Sequence, residues 1–534
     1  MQLQIHHQRA RELNWRHAAA MLFGDWGTGR LYVLGLAFFY SGHASPYHVL
    51  AMCAIMLVVG WAYTVVCRCF QDGGGVYSSA KATHKHLALL GAYLLFADYI
   101  VTAALSAVEA FRYFGASTQA APLFAIAAIF VIAGVNFVGP RKAGSLATYI
   151  AMAVLVIVLI MAAFCIPHLS FKHITADQRP FNIQWTSFVH IILALSGVEA
   201  IANMTGIMVQ PVKKTSRKAI WVVLAEVVFF NLFFAVIMTT LASAPSDILA
   251  NRPESMLTAH DHDMRDTMMK VIAAELVHPI FATVAAVIFG LLLLSATNTA
   301  TSAMISVQYA MARDGELPPA FIKLNAFGVP WLGLITAVGI CTIVLLFEGD
   351  VEQLAHLYAI GVVGAITINL GSTCFNRQIS VKTWERVLIG AIAAFLLVVE
   401  CTIAVQKVQA TIFAGSVILG GYLMRLAVKK APALAPHVPR ITHAMAKWFE
   451  SPPLPEAQDA FSTVGIEPFD PTKKKILVAC RGNTEIVQFA AEEAEARDAN
   501  LIILFVRDLR LAFAPVGAAT ELQPQFDPEA VPIF

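Results

Sequence analysis

The sequence predicts an all-α polytopic membrane protein with about twelve transmembrane helices and a small C-terminal α/β tail. Three observations predict it. Hydrophobic residues make up 58% of the 534 residues and charged residues 13%, where soluble domains sit nearer about 45–50% and about 25%. Apolar runs of about 20 residues recur along the chain. Lys and Arg gather in every other connection between those runs. With 37 basic and 35 acidic residues the chain is close to neutral, so nucleic-acid binding is not expected.

The start, MQLQIHHQRARELNWRH, is too polar for a secretory signal peptide. The apolar segments then centre on 27–44, 47–67, 88–112, 120–138, 145–166, 184–209, 219–243, 272–303, 330–347, 353–374, 387–405 and 409–428. One set of connections is basic: Arg9, Arg11 and Arg16; Arg68, Lys81 and Lys85; Arg141 and Lys142; Lys213, Lys214, Arg217 and Lys218; Arg313 and Lys323; Arg377, Lys382 and Arg386. The other set is cation-poor or acidic: 115–122, the Asp-rich 247–266 and 347–353. The positive-inside rule then puts both termini in the cytoplasm. The eight cysteines lie mostly in apolar segments with no C-x-x-C spacing, as small core residues do.

The chain divides into a membrane domain (1–430), a Pro-rich linker (431–471) with room for an amphipathic helix at 441–450, and a tail (472–534). The tail reads strand, helix, strand over 473–509. Its apolar strands ILVAC and LIILFV suit a buried parallel pair. One βαβ unit is too small to bury its own core.

The residues of greatest functional interest are carboxylates inside apolar segments. Asp25, Asp98 and Glu199 each lie beside Gly or small residues, in FGDWGTGRLY, FADYIVTAALS and ALSGVEAIAN. A charge at bilayer depth costs at least about 2.5–3.5 kcal/mol, so such groups face a cavity or an ion path. Three acids in one cavity would make a cation site. Asp98, Thr102 and Ser106 repeat every four residues and share one helix face, with Tyr99 flanking. Hydroxyl and carboxylate oxygens suit a dehydrated hard cation; the alternative is that Thr and Ser bond back to their own helix. Tyr32 follows Asp25 by seven residues on the same face. The alternative for Asp25 is an N-cap near the membrane edge, with Arg30 placed to neutralise it. Ser196 precedes Glu199 by three residues. Glu199, and with it Asp98, are candidate proton carriers. Tyr358 offers a neutral ligand or an interfacial belt residue. Glu109, Glu226, Glu275 and Glu400 suit interhelical pairs or segment ends.

Other motifs point less far. The polar run 295–306 fits a pathway lining or close helix packing. THKH (83–86) and HDHD (260–263) read as solvated loops rather than a transition-metal site. CRGNTE (480–485) opens a helix after a strand, where phosphate binds elsewhere, but with a single Gly. No nucleophile elbow, Walker sequence or catalytic triad appears, so an enzyme is not expected.

Two Gly-interrupted acidic segments, GDWGTG in the first and SGVEA in the sixth, stand five segments apart. A five-segment repeat is inverted in its second copy, and paired broken helices are the usual pointer to a transporter's midplane site. YAMARDGELPPAF (309–321), with GGGVYSSA (73–80) and SGVEAIANMTG (196–206), resembles the amino acid–polyamine–organocation (APC) superfamily. DWGTGRLYVLG, DYIVTAALS and SGVEA together resemble its KimA-type proton-coupled potassium importers, and the tail resembles part of a universal-stress-protein-like domain. The resemblance implies a 5+5 LeuT/APC-like fold in a bacterial inner membrane. It also implies a potassium path of Asp25, Tyr32, Asp98, Tyr99, Thr102, Ser106, Ser196, Glu199 and Tyr358, with Thr often standing where this chain has Ser196. Such importers form homodimers whose tails pair and bind a cyclic dinucleotide, through a longer tail with a late Gly-rich loop that 472–534 does not contain. The expected activity is import of K⁺ with H⁺, with no resident cofactor. The alternatives are an amino acid or polyamine permease and, third, an ion sensor.

Overall fold

Uncharged runs must satisfy their backbone groups internally, and each of them does so as helix. The computed structural model describes residues 11, 13–71, 75–81, 83–137, 143–325, 329–434, 474–480, 484–497 and 499–505. The possible linker helix at 441–450, Gly73 and Gly74, the 481–483 turn and everything after Phe505 lie outside the described residues.

Helix α1 (Trp15–Trp26) is capped by Asn14, whose side chain accepts from the Arg16 and His17 amides. The first segment therefore begins at Trp15 rather than at 27. Gly27 and Thr28 separate α1 from α2 (Gly29–Ser41), both with right-handed dihedrals. The ladder tightens there: the Thr28 amide donates to the Asp25 carbonyl at 3.2 Å. This interruption is a tightened turn rather than an extended stretch.

Then follow α3 (Ser45–Cys69), α4 (Val76–Lys81), α5 (Lys85–Tyr113), α6 (Ala121–Phe137) and α7 (Ala143–Cys165). The sixth segment is broken outright. Helix α8 (Phe181–Ile191) passes through a 3-10 turn to Ser196 (ψ 149°) and left-handed Gly197 (φ 96°), and α9 (Val198–Asn203) resumes. Next come α10 (Val212–Ile237), α11 (Ala259–Asp266), α12 (Met268–Leu276), α13 (Pro279–Arg313), α14 (Trp331–Phe347), α15 (Val351–Phe375), α16 (Thr383–Gln406) and α17 (Val408–Leu434). HDHD is not a loop: it lies in α11, started by a Thr258–Asp261 capping box.

Among the described residues nine stretches are long and apolar enough to cross a membrane. One of them, Trp15–Cys69, holds the first two sequence segments, and α6 and α14 are shorter apolar helices. Helix α5 is the centre: 83% of its apolar window is buried, against 6% for α17. It packs against α13, α15, α14, α6 and α4.

The two sets of connections sort to opposite ends of the helices. At one end Arg11 donates to the Gln71 and Thr205 carbonyls, Arg68 pairs with Glu385, and Lys81 with Asp314. Glu316 there takes Lys85 and Arg425. At the other end Arg265 binds Asp266, Asp350 and Glu352, Arg112 binds Asp266, and Tyr40 donates to Glu352.

The tail forms a separate unit, described by itself. Strand β1 (Lys474–Cys480) pairs in parallel with β2 (Ala499–Phe505), from Lys474↔Ala499 to Cys480↔Phe505, and α18 (Thr484–Ala496) connects them.

Candidate functional site

The broken sixth segment is seated against the turn at the end of α1. A Cβ on Gly197 would lie 2.8 Å from the Trp26 amide nitrogen and 3.1 Å from the Asp25 carboxyl carbon. Only glycine fits, because the left-handed φ and the close approach are needed together. Asp25 sits inside α1, buried, so it is not an N-cap. The Thr28 hydroxyl donates to its carbonyl at 2.5 Å.

Glu199 turns back on the break, where its Oε1 accepts from the Gly197 amide at 3.4 Å. Its Oε2 is buried with no hydrogen-bond partner. Asp98, on α5, faces Glu199 and Asp25. Gly361 of α15 is moulded to it, since a Cβ there would fall 2.7 Å from the Asp98 amide nitrogen. Asp98 Oδ1 takes the Thr102 hydroxyl at 3.3 Å, while Oδ2 is buried and unpartnered. Asp98 and Glu199 are each 1% exposed. No ion pair reaches Asp25, Asp98 or Glu199 among the described residues.

Hydroxyls complete the cluster. Tyr358 is 1% exposed and donates to Ser196 Oγ, so it is a buried residue and not an interfacial one. Tyr32 lies within range of the Thr28 and Tyr358 hydroxyls and of the Asp25 and Asp98 carboxylates. Tyr99 faces Glu199, Asp98 and Asp25, and its hydroxyl accepts from Asn203 at 3.1 Å. The Thr102 hydroxyl also donates to the Asp98 carbonyl at 2.9 Å, so it bonds back to its own helix. Ser106 is buried on the same face. It stands about 12 Å along the helix from Asp98, and no hydrogen bond among the described residues joins it to the acids.

Several expectations are corrected. Arg30 does not neutralise Asp25: it is fully buried and pairs with Glu226 of α10 at 2.5 Å. Glu226 is thus an interhelical partner, and Glu275 accepts from Ser243 near a helix end. Glu109 and Glu400 are not paired in this way; both Glu109 oxygens and Glu400 Oε2 are buried without a hydrogen bond. In the 295–306 run, Thr297, Thr301, Ser302 and Ser306 bond back to carbonyls four residues earlier, and Asn298 accepts from Asn136. Those bonds fit the packing reading of the run. No group of three or more His, Cys, Asp or Glu positioned for a metal ion occurs among the described residues.

Sequence reasoning missed Tyr63 of α3, which faces Glu199 and Asp98 and takes the Asn369 amide at 3.3 Å. Its one signal is a Tyr in the middle of an uncharged run.

The arrangement gathers three carboxylates and several hydroxyls from α1, α2, α5, α9 and α15, with no fixed cation among them. Buried carboxylates without a fixed counter-charge call for a cation or for protons, although the three acids do not stand close enough together to ligate one ion as a group. The chain matches the Amino acid permease family over residues 13–421. It is similar to the potassium transporter KimA of Bacillus subtilis (strain 168), 25% identical over 401 residues, covering 67% of this chain and 60% of that protein. It is also similar to the probable potassium transport system protein Kup of Burkholderia ambifaria (strain MC40-6), 26% identical over 433 residues, covering 72% and 62%. The chain thus spans 60–62% of the length of the curated relatives it matches. With over three quarters of its length inside that match, the chain is a membrane protein of the amino acid permease family.

Proposed function

We propose that this protein imports K⁺ together with H⁺ by alternating access, through a site made of Asp25, Asp98 and Glu199 with Tyr32, Tyr99, Thr102, Ser196 and Tyr358. The observation that carries the reading is the pair of buried, unpartnered oxygens Asp98 Oδ2 and Glu199 Oε2, on carboxylates within electrostatic range of one another. A buried carboxylate needs a counter-charge, and leaving one bare costs several kcal/mol. A K⁺ ion held by part of the cluster and a proton on another of its carboxyls supply it together, and release of both on the same side is the coupling. Glu199 and Asp98 are the proton carriers. Ser106 belongs to the path leading to the site, not to the coordination shell. The two similar potassium transporters support K⁺ as the cargo.

The same reading covers the architecture. The helices make twelve crossings of a bacterial plasma membrane, with both termini cytoplasmic at the Arg68 end. The first five crossings are repeated, inverted, by the next five, and α1–α2 and α8–α9 are the two interrupted helices. Short helices before α5 and before α13 fit that repeat. The membrane domain ends near 430, and 431–471 links it to a partial universal-stress-protein-like tail. The protein acts as a homodimer, and α17, little buried, leaves a face for a second copy or lipid. Cyclic-dinucleotide control of the tail is not part of the proposal.

The family name favours a second reading, an amino acid or polyamine permease. An α-carboxylate would need a free amide at a helix break, but Glu199 already covers the Gly197 amide. A polyamine, whose ammonium groups suit three acids, is the stronger alternative.

The test is growth of a potassium-uptake-deficient bacterial strain at low K⁺, with wild type beside Glu199→Gln and Asp98→Asn at matched expression. Removing a carboxylate about 4 Å from a cation at an effective dielectric near 20 removes about 4 kcal/mol, so both variants should fail to rescue. A well-expressed wild type that does not rescue would sink the potassium reading, and polyamine uptake would be measured next.

A further inference from the structure

A groove of about 340 Å³ opens between α3, α10 and α16, at the end of the helices where Arg68 sits. Its walls follow from helix periodicity. Lys213, Arg217 and Trp221 are spaced by four and share one face of α10; Trp61 and Arg68, seven apart, share one face of α3. The charges are not balanced inside it. Arg68 is held in a fork by Glu385, at 2.9 and 2.7 Å. Lys213 and Arg217 make no ion pair with any described residue, so the groove keeps an excess of two positive charges.

Its other wall is aromatic. Trp61 stacks on Trp384 with ring centres 5.3 Å apart, and Trp221 is 39% exposed beside it. Beyond the groove the surface is apolar: Val222, Val387 and Leu388 are exposed on α10 and α16. Two free cations, a belt of indoles and an adjoining apolar face match an amphiphile with an anionic head. Basic pockets between transmembrane helices take acidic lipid headgroups, and Trp sits at headgroup depth. A soluble anion would use the two cations and leave the indoles and the apolar face without a role.

We propose that this groove binds the headgroup phosphate of an anionic phospholipid, with its acyl chains lying along α10 and α16. Lys213 and Arg217 hold the phosphate, Arg68 and Glu385 fix the wall, and the Trp side chains grip the glycerol and upper chains. The proposal rests on the reading that these helices span a membrane, not on the identity of the cargo. With the topology proposed above, the lipid comes from the cytoplasmic leaflet.

The test is lipid retention by the purified, delipidated full chain in native mass spectrometry, with phosphatidylglycerol, phosphatidylcholine or inorganic phosphate added. Phosphatidylglycerol should be retained and phosphatidylcholine not. Loss of two surface cations in Lys213→Ala/Arg217→Ala should weaken retention roughly 10- to 30-fold. Both positions are exposed, and an unchanged gel-filtration profile shows that the variant folds. Brominated phosphatidylglycerol should quench Trp fluorescence in the wild type and much less in the double variant. Equal retention of phosphatidylcholine, unchanged retention by the variant, or saturation by inorganic phosphate alone would overturn the proposal. Binding is read without transport, so failure here leaves the potassium reading standing, and the reverse also holds.

Discussion

Gly197→Ala isolates the seat between the two interrupted segments. The added Cβ would meet the Trp26 amide nitrogen at 2.8 Å and the Asp25 carbonyl and carboxyl carbons at 3.1 Å. Backbone atoms make most of that contact, so no side chain can swing aside. The φ of 96° adds a left-handed penalty of about 1–2 kcal/mol. Overpacking adds about 1–3 kcal/mol, for a total of about 2–5 kcal/mol. Even about 2 kcal/mol shifts the balance between a seated and a displaced break about 30-fold. Initial rates of K⁺ uptake at matched expression should therefore fall by at least an order of magnitude. Gly24→Ala is the control, because nothing lies within 4 Å of a Cβ there. It sits inside α1 and should keep transport while gaining about 0.5–1 kcal/mol of helix stability. A Gly197→Ala protein with wild-type uptake and thermal stability would refute the reasoning, as would an equal loss in Gly24→Ala.

Two further outcomes are expected. Arg30→Ala leaves the partly buried Glu226 without its partner and should cost about 1–3 kcal/mol, less than for a fully buried pair, seen as a lower melting temperature in detergent; Arg30→Met/Glu226→Leu should recover most of it, and equal losses would show that the pair matters little. At the Arg68 end, burial pushes the Glu316 carboxyl up, but Lys85 and Arg425 outweigh it and hold it below its ordinary 4.5. A depressed carboxyl contributes stability that is complete above the ordinary value and is lost as pH falls through the folded one. Melting temperature should therefore drop below pH 4.5 less steeply in Glu316→Gln than in wild type; identical slopes would contradict this.

How far the site could be read in advance depended on the range of each contact. Asp98 and Thr102 were legible because they are one helical turn apart. Tyr358 on Ser196 was not, since the partners stand 162 residues apart and only packing of α15 on the sixth segment brings them together. Arg30 looked like a partner for Asp25 because it follows five residues later. The turn at Gly27 and Thr28 sends it to α10 instead, where Phe23 and Phe230 flank its guanidinium. The α11 helix has a local signal in its Thr258–Asp261 capping box, which the polar, apolar-poor HDHD run masks as a solvated loop. The first helix began earlier than hydropathy suggested because Arg16 and His17 lie in its first turn.

The notch at Gly361 also bears on how such a molecule could move. With no side chain between them, the α15 backbone and the Asp98 backbone are locked as cog and slot. Sliding or tilting α15 against α5 would drive main chain into main chain. These two helices are therefore expected to move together, and Asp98 and Tyr358 with them. On the proposed mechanism, an opening toward either side of the membrane falls to the other members of the cluster: the turn after Asp25 and the break at Ser196 and Gly197. The carboxylate cluster is split between a wall of packed helices and a wall made of two breaks.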